Sequence, residues 1–204
     1  MSAAAAVRSS EPDTRQRIME TAERLFREIG YQKTTVADIA KALRMSPANV
    51  YRFFDSKKSI NEAVAERLMR GVEGAIEAIA NRKAPAVERL REIIATMHSM
   101  NASLYTDDLR MHEMVEVAMT ESWEVVHGHI ERKGAVFDRV IADGVASGEF
   151  KAADPTVASR CVQMSLIRFF HPALMVQCAN EPGPTLEQLT DFVLAGLAWT
   201  PPEG

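Results

Sequence analysis

Apolar residues in this chain recur three and four positions apart almost throughout, and no stretch alternates as a half-buried strand must. Ile18, Ala22, Leu25, Phe26 and Ile29 make one such stripe, and Val36, Ile39, Ala40 and Leu43 a second. Ile60, Val64, Leu68 and Val72 make another. This spacing sets each group on one face of a helix, where it must be buried against something. The expected fold class is therefore all-α.

Local signals cut the pattern into helices. Asp13 to Gln16 reads as an N-cap with Gln reaching back from the third position, and Gly30 supplies the stop. Thr35 to Asp38 opens a second, short helix. Ser46 followed by Pro47 opens a third, because Ser is a favoured cap and Pro at the first helical position forfeits no hydrogen bond. This third helix is expected to run to about Phe53 or Phe54, and Asp55-Ser56 to cap a fourth. Longer helices are expected over 56–80, 85–101, 108–119, 122–147, 155–178 and 185–199. Pro172 should kink the fifth of these near residues 168 to 171. Gly71 and Gly74 fall inside the fourth helix, where they serve either bending or close packing.

Composition narrows the class. The chain is 47% hydrophobic and 25% charged, as in globular proteins. No run approaches eighteen apolar residues, so no membrane helix is expected, and the alanines at 3 to 6 are too few for a signal peptide. Cys161 and Cys178 would lie about 25 Å apart on one helix, too far to bridge, so a reducing cytoplasm is the expected compartment. The net charge of −4 hides a division: residues 1–58 hold 11 Lys+Arg against 7 Asp+Glu, and the rest hold 13 against 21. A basic segment on an acidic body points to a polyanionic partner for the first part.

Two short helices joined by Leu43, Arg44 and Met45, after a longer one, describe a three-helix helix-turn-helix. The second helix of such a pair is narrow enough for the major groove of B-DNA. Val50, Phe53 and Phe54 face inward here, leaving Pro47, Ala48, Asn49, Tyr51 and Arg52 on the outer face or the tip. Asn can pair with adenine and Arg with guanine, while a small Ala or Pro lets the backbone near a thymine methyl. Lys57 can meet a phosphate as a point charge.

The stretch "TRQRIMETAERLFREIGYQKTTVADIAKALRMSPANVYRFFDSKKSINEAV" resembles the N-terminal domain of TetR-family (tetracycline-repressor-like) transcriptional regulators. The likeness spans residues 14–64, through Ala22 to Phe26, Gly30-Tyr31, Thr34 to Val36, Ile39-Ala40, Ser46, Val50-Tyr51, Phe54 and Lys57. It implies a homodimer on a palindromic double-stranded DNA operator, released by a small-molecule effector, with no cofactor and no enzymatic activity. It further implies phosphate contacts from Thr34, Thr35, Tyr51 and Lys57, a capping and phosphate role for Ser46, and base contacts from Pro47, Ala48, Asn49 and Arg52. The implied organisation is a flexible tail at 1–12, the DNA-binding domain at 13–58, and a helical effector-binding and dimerisation domain at 59–204. One departure stands out: the family commonly has Gly where this chain has Arg44, so either the turn is slightly altered, which is the favoured reading, or Arg44 adds a phosphate contact that offsets the strain.

The C-terminal body carries two helices, about 155–178 and 185–199, that are apolar on more than one side and so belong in a core or an interface. The resemblance makes them the dimer interface, across which Ala195, Gly196 and Ala198 would permit close approach. Met97, Met100, Met114, Trp123, Phe137 and His171 are the candidate lining for an apolar or amphipathic effector. The five histidines raise a metal alternative, but His127 and His129 point to opposite sides of a helix. An all-α enzyme using Glu113 or Glu116 lacks any nucleophile motif or carboxylate-histidine spacing to arrange it.

Overall fold

The computed structural model describes the backbone of residues 3–105 and 109–199, with side chains from 13 to 104 and 110 to 199. The described residues form helices α1 (Ala3–Ile29), α2 (Val36–Ala42), α3 (Pro47–Tyr51), α4 (Lys57–Ala80), α5 (Ala86–Tyr105) and α6 (Leu109–Glu121), followed by α7 (Trp123–Ser147), α8 (Pro155–Ser165), α9 (Ile167–Phe170), α10 (Pro172–Gln177) and α11 (Leu186–Ala198). They contain no strand. None of these helices is long and apolar enough to cross a membrane.

Helix α1 continues back to Ala3, well before the cap expected at Asp13, and so takes in most of the segment read as a tail. Alanine has the highest helix propensity of any residue, and four of them occupy positions 3 to 6. Gly30 ends the helix with φ +92°, a left-handed value that favours glycine. The long helix expected over 155–178 is three short ones instead. His171 is extended (φ −83°, ψ 122°) because Pro172 disfavours the helical conformation in the residue before it. A second break at Leu166 has no such local cause.

Two compact units are present: Met1–Leu68 with Asp108–Val126, and Met69–Asp107 with His127–Gly204. The first unit reaches past the boundary expected at residue 58, taking in the first half of α4 and also α6. Helix α6 buries Met111, Met114, Val115 and Ala118 within the first unit. Asn61 Nδ2 donates to Met114 O at 3.3 Å, Ser122 Oγ donates to Glu62 Oε1 at 2.7 Å, and Arg110 donates to the carbonyls of Arg27 and Glu28 at the end of α1. Those carbonyls have no partner within α1, and a cation is favoured at a helix C-terminus.

The first unit is centred on Ile18, Ala22, Phe26, Ile39, Val50 and Ile60, all fully buried, with Phe26 edge-on to Tyr31 at 5.3 Å. The second is centred on Ile76, Leu90, Ile93, Met97, Phe137 and Val140. At Gly144 a Cβ would meet the Phe150 ring at 2.2 Å, so only glycine lets residue 150 close over the end of α7. A Cβ at Gly71 or Gly74 would meet nothing, which removes close packing as the reason for either.

Candidate nucleic-acid interface

The geometry of the α2-turn-α3 segment is fixed by side chains that cap its own helices. Thr35 Oγ1 accepts from Asp38 N at 3.1 Å, while the Asp38 carboxylate accepts from Thr35 N at 2.9 Å and from its hydroxyl at 2.6 Å. This reciprocal box satisfies two donors that a helix start leaves open, and those hydrogen bonds hold the Asp38 carboxyl below its ordinary range. Ser46 Oγ accepts from Asn49 N at 3.3 Å, and Pro47 follows it as the first residue of α3.

The turn between them is not altered as expected. Arg44 has φ +56°, the left-handed conformation that the missing glycine would adopt. Met45 N donates to Ala40 O at 2.9 Å and Arg44 N to Lys41 O at 3.1 Å. These are the two bonds of a Schellman cap, which requires a left-handed residue at this position. The cost to an L-residue is about 1 kcal/mol, offset by the two satisfied carbonyls. Arg44→Gly should therefore raise thermal stability by about 0.5–1 kcal/mol, read by calorimetry, and a loss of stability would show that the Arg44 side chain contributes more than its backbone strain costs.

Helix α3 ends at Tyr51, one turn before the expected Phe53 or Phe54, and Arg52 is its C-cap. Val50 and Phe54 are buried and Phe53 is half-buried, so this side of the segment holds it to its unit. Arg15 lies 4.5 Å above the Phe54 ring, closing that anchor from α1. On the opposite side Pro47, Ala48, Tyr51 and Arg52 are exposed, and Asn49 is half-exposed with its Nδ2 3.6 Å from Met45 Sδ. Thr35, Ser46 and Arg44 are exposed beside them.

Two of the expected phosphate contacts are placed differently. Thr34 is fully buried, and its hydroxyl donates to Gly30 O at 2.8 Å, so it braces the loop and presents no side chain outward. Lys57 Nζ donates to Gln32 O at 3.2 Å and sits 4.2 Å above the Tyr31 ring. Burial lowers its pKa, against the pull of Glu113. Arg44 is exposed, as the alternative reading of it as a phosphate contact requires.

The proposed effector lining is divided between the units. Met97 and Phe137 are buried in the core of the second, with Met100 partly buried against them. His171, also in the second unit, is half-buried in the break between α9 and α10, and its Nδ1 is buried with no hydrogen-bond partner. Met114 is buried in the first unit, and Trp123 is exposed there at the start of α7. Four of the six, Met97, Met100, Phe137 and His171, thus fall in the second unit and two in the first. Among the described residues no group of three His, Cys, Asp or Glu side chains is placed to hold a metal ion.

Residues 18–64 match the family described as "Bacterial regulatory proteins, tetR family", and residues 86–189 match "Tetracyclin repressor-like, C-terminal domain". The chain belongs to the TetR family. Its members are transcriptional regulators and not enzymes. Among curated relatives, the negative transcriptional regulator IcaR of the biofilm operon icaADBC in Staphylococcus aureus is 48% identical over 48 residues. That match covers 24% of this chain and 26% of IcaR, so it spans about a quarter of the relative's length. A TetR/AcrR-family regulator from Thermobifida fusca superposes with a TM-score of 0.65 at 24% identity, over 90% of this chain and 98% of its own. SmeT, the repressor of the Stenotrophomonas maltophilia efflux pump SmeDEF, superposes with a TM-score of 0.66 at 21% identity, over 93% and 94%. SmeT has also been solved in complex with triclosan.

Proposed function

We propose that this TetR-family protein represses transcription by binding a palindromic operator as a homodimer, and that a small apolar or amphipathic molecule in the second unit releases it. The observation that carries this reading is the outward face of α3. A capped helix, anchored by Val50 and Phe54, turns Pro47, Ala48, Asn49, Tyr51 and Arg52 to solvent beside the exposed cation Arg44. Repression is drawn by analogy with IcaR and SmeT, and the binding of a small molecule by analogy with the triclosan complex of SmeT.

In this reading α3 enters the major groove, where Asn49 and Arg52 read base edges, and Thr35, Ser46, Tyr51 and Lys57 face phosphates. Lys57 spends one of its three donors on Gln32 O and keeps two for a phosphate. Two such helices in a twofold dimer reach successive grooves about 34–36 Å apart, and an effector that favours another spacing releases both.

Dimerisation is assigned to α8 and α11. Val157, Cys161 and Met164 follow one another along α8, and Phe192 and Gly196 along α11 with Trp199 at its C-cap, all exposed. A contiguous apolar strip of this kind on a single subunit marks an interface.

Arg52→Ala should weaken operator binding by about 1–3 kcal/mol and relax preference at one base pair, measured by fluorescence anisotropy on duplexes varied at each position. Lys57→Ala should weaken all duplexes alike and reduce the salt dependence. If both variants bind as the wild type does, α3 is not the reading helix.

A further inference from the structure

The break before Pro172 opens a cavity of about 420 Å³ in the second unit, a size that suits small ligands. Its inner wall is apolar, with Ala102 from α5, Phe169 from α9, and Leu174 and Met175 from α10. None of the six residues taken from sequence as the effector lining borders it.

One polar atom in this wall is left with nothing to do. Ending α9 at Phe170 strips its last carbonyls of their helical donors, and two side chains of α5 take them. Asn101 Nδ2 donates to Phe170 O at 3.3 Å, and His98 Nδ1 lies 3.2 Å from Phe169 O, its ring edge-on to the Phe169 ring at 5.7 Å. A carbonyl oxygen only accepts, so Nδ1 carries the proton, and Nε2 of the neutral imidazole is an acceptor. Nε2 has no partner among the described residues, and His98 lines the cavity.

The rim carries no net charge. Arg168 and Glu181 contribute one charge each. Arg168 Nη2 is committed to the carbonyls of Cys178 and Glu181, both at 2.8 Å, where it holds the chain turn that closes the cavity. With one charge of each sign, and the guanidinium partly satisfied by those carbonyls, the rim gives an ion of either sign no net attraction to offset its desolvation.

We propose that this cavity takes a compact, uncharged apolar molecule bearing a hydroxyl group, whose O–H donates to His98 Nε2, and that this class of compound is the effector. The inference rests on the effector-release reading above and gives it a site and a ligand class. An occupant would press on α9 and α10, which continue directly from α8 and so from the strip assigned to dimerisation.

The test uses 2-naphthol and its methyl ether, 2-methoxynaphthalene, which has the same apolar body and no O–H. Isothermal titration of the full chain should show 2-naphthol binding at least about tenfold more tightly than the ether, as expected for one lost hydrogen bond. His98→Phe keeps a ring against Phe169 and should abolish that preference. Ala102→Leu, one turn along α5 from His98, fills part of the cavity and should weaken both compounds. Equal binding of the two probes, a preference that survives His98→Phe, or no saturable binding below about 1 mM overturns the proposal. A parallel gel shift on an operator selected from random duplexes separates the two claims. His98-dependent binding that leaves the DNA bound refutes the release reading and keeps the cavity assignment. Release by another compound, with no 2-naphthol binding, does the reverse.

Discussion

Phe192→Glu should turn a dimer into a monomer of 22.6 kDa at micromolar concentration, observed by sedimentation velocity. Phe192 is 73% exposed on its own subunit, the most exposed large apolar residue among the described ones, and Met164 at 70% and Trp199 at 62% follow it. Phe192 and Gly196 fall four apart on α11 and Trp199 is its C-cap, so the three make a line of largely exposed positions at that end of the helix. Water exposure of that line is unfavourable by about 25 cal/mol per Å², and a second copy related by a twofold axis removes it. A glutamate there must lose its hydration near its own symmetry mate, which repels it. The expected cost is about 2–4 kcal/mol, or a dissociation constant raised on the order of a hundredfold or more. Operator affinity should fall further, because the second recognition helix no longer arrives tethered to the first. Circular dichroism and the unfolding midpoint of the monomer should stay near wild type, since the side chain is outside the core. A variant that still sediments as a dimer would place the interface elsewhere.

The recognition segment was legible because its determinants are local. The cap at Ser46, the box from Thr35 to Asp38 and the inward set of Val50 and Phe54 are all written within a few residues of the atoms they organise. Arg44 marks the limit of such reasoning: the rule that glycine favours positive φ was sound, but two backbone hydrogen bonds outweigh the cost to arginine. Thr34 was misplaced for a similar reason. A threonine beside a capping threonine resembles a surface residue until the Gly30 carbonyl, freed by the end of α1, is found within its reach.

Long-range choices were not legible. The apolar face of α6 looks like that of any amphipathic helix, and nothing in Met111, Met114 and Val115 says which unit it completes. Pro172 foretold the break at His171, whereas the break at Leu166 has no signal in the neighbouring residues. The effector lining was not legible. Methionine and phenylalanine line cores and cavities alike, and Met97 and Phe137 proved to be core. A void depends on where helices fail to meet, and His98 becomes an acceptor only once the Phe169 carbonyl is seen to hold its other nitrogen.

His129→Gln should flatten the loss of stability that the wild type suffers in mild acid. His129 is buried in the second unit, with Nδ1 at 2.7 Å from Glu73 Oε1, while Arg132 Nε lies 2.8 Å from Oε2. Glu73 is held below its ordinary range by these two partners, despite its burial, so it is an ionised acceptor and Nδ1 carries the proton. Burial, reinforced by the Lys133 charge one turn along, pushes the His129 pKa down to about 4, against the pull of Glu73. In the unfolded chain it returns to about 6.5. Between these values the unfolded state binds a proton that the native state refuses, so stability falls as pH falls. The His129 contribution is complete above about pH 6.5 and declines through about pH 4, by about 3 kcal/mol in all. Glutamine retains an N–H for Glu73 and cannot titrate. Urea denaturation at pH 7 and pH 4.5 should show the wild type losing about 2–3 kcal/mol more than His129→Gln between the two conditions. The Glu73 contribution, lost at still lower pH, remains in both proteins. Lys133 bears the opposite cost at neutral pH, since burial brings its pKa down to about 8 and its ammonium stays charged. Lys133→Met should therefore stabilise the second unit at pH 7 by about 1–3 kcal/mol, with the gain shrinking as pH rises past 8. Parallel pH slopes for wild type and His129→Gln would mean that the imidazole takes up its proton equally readily in the folded and the unfolded chain.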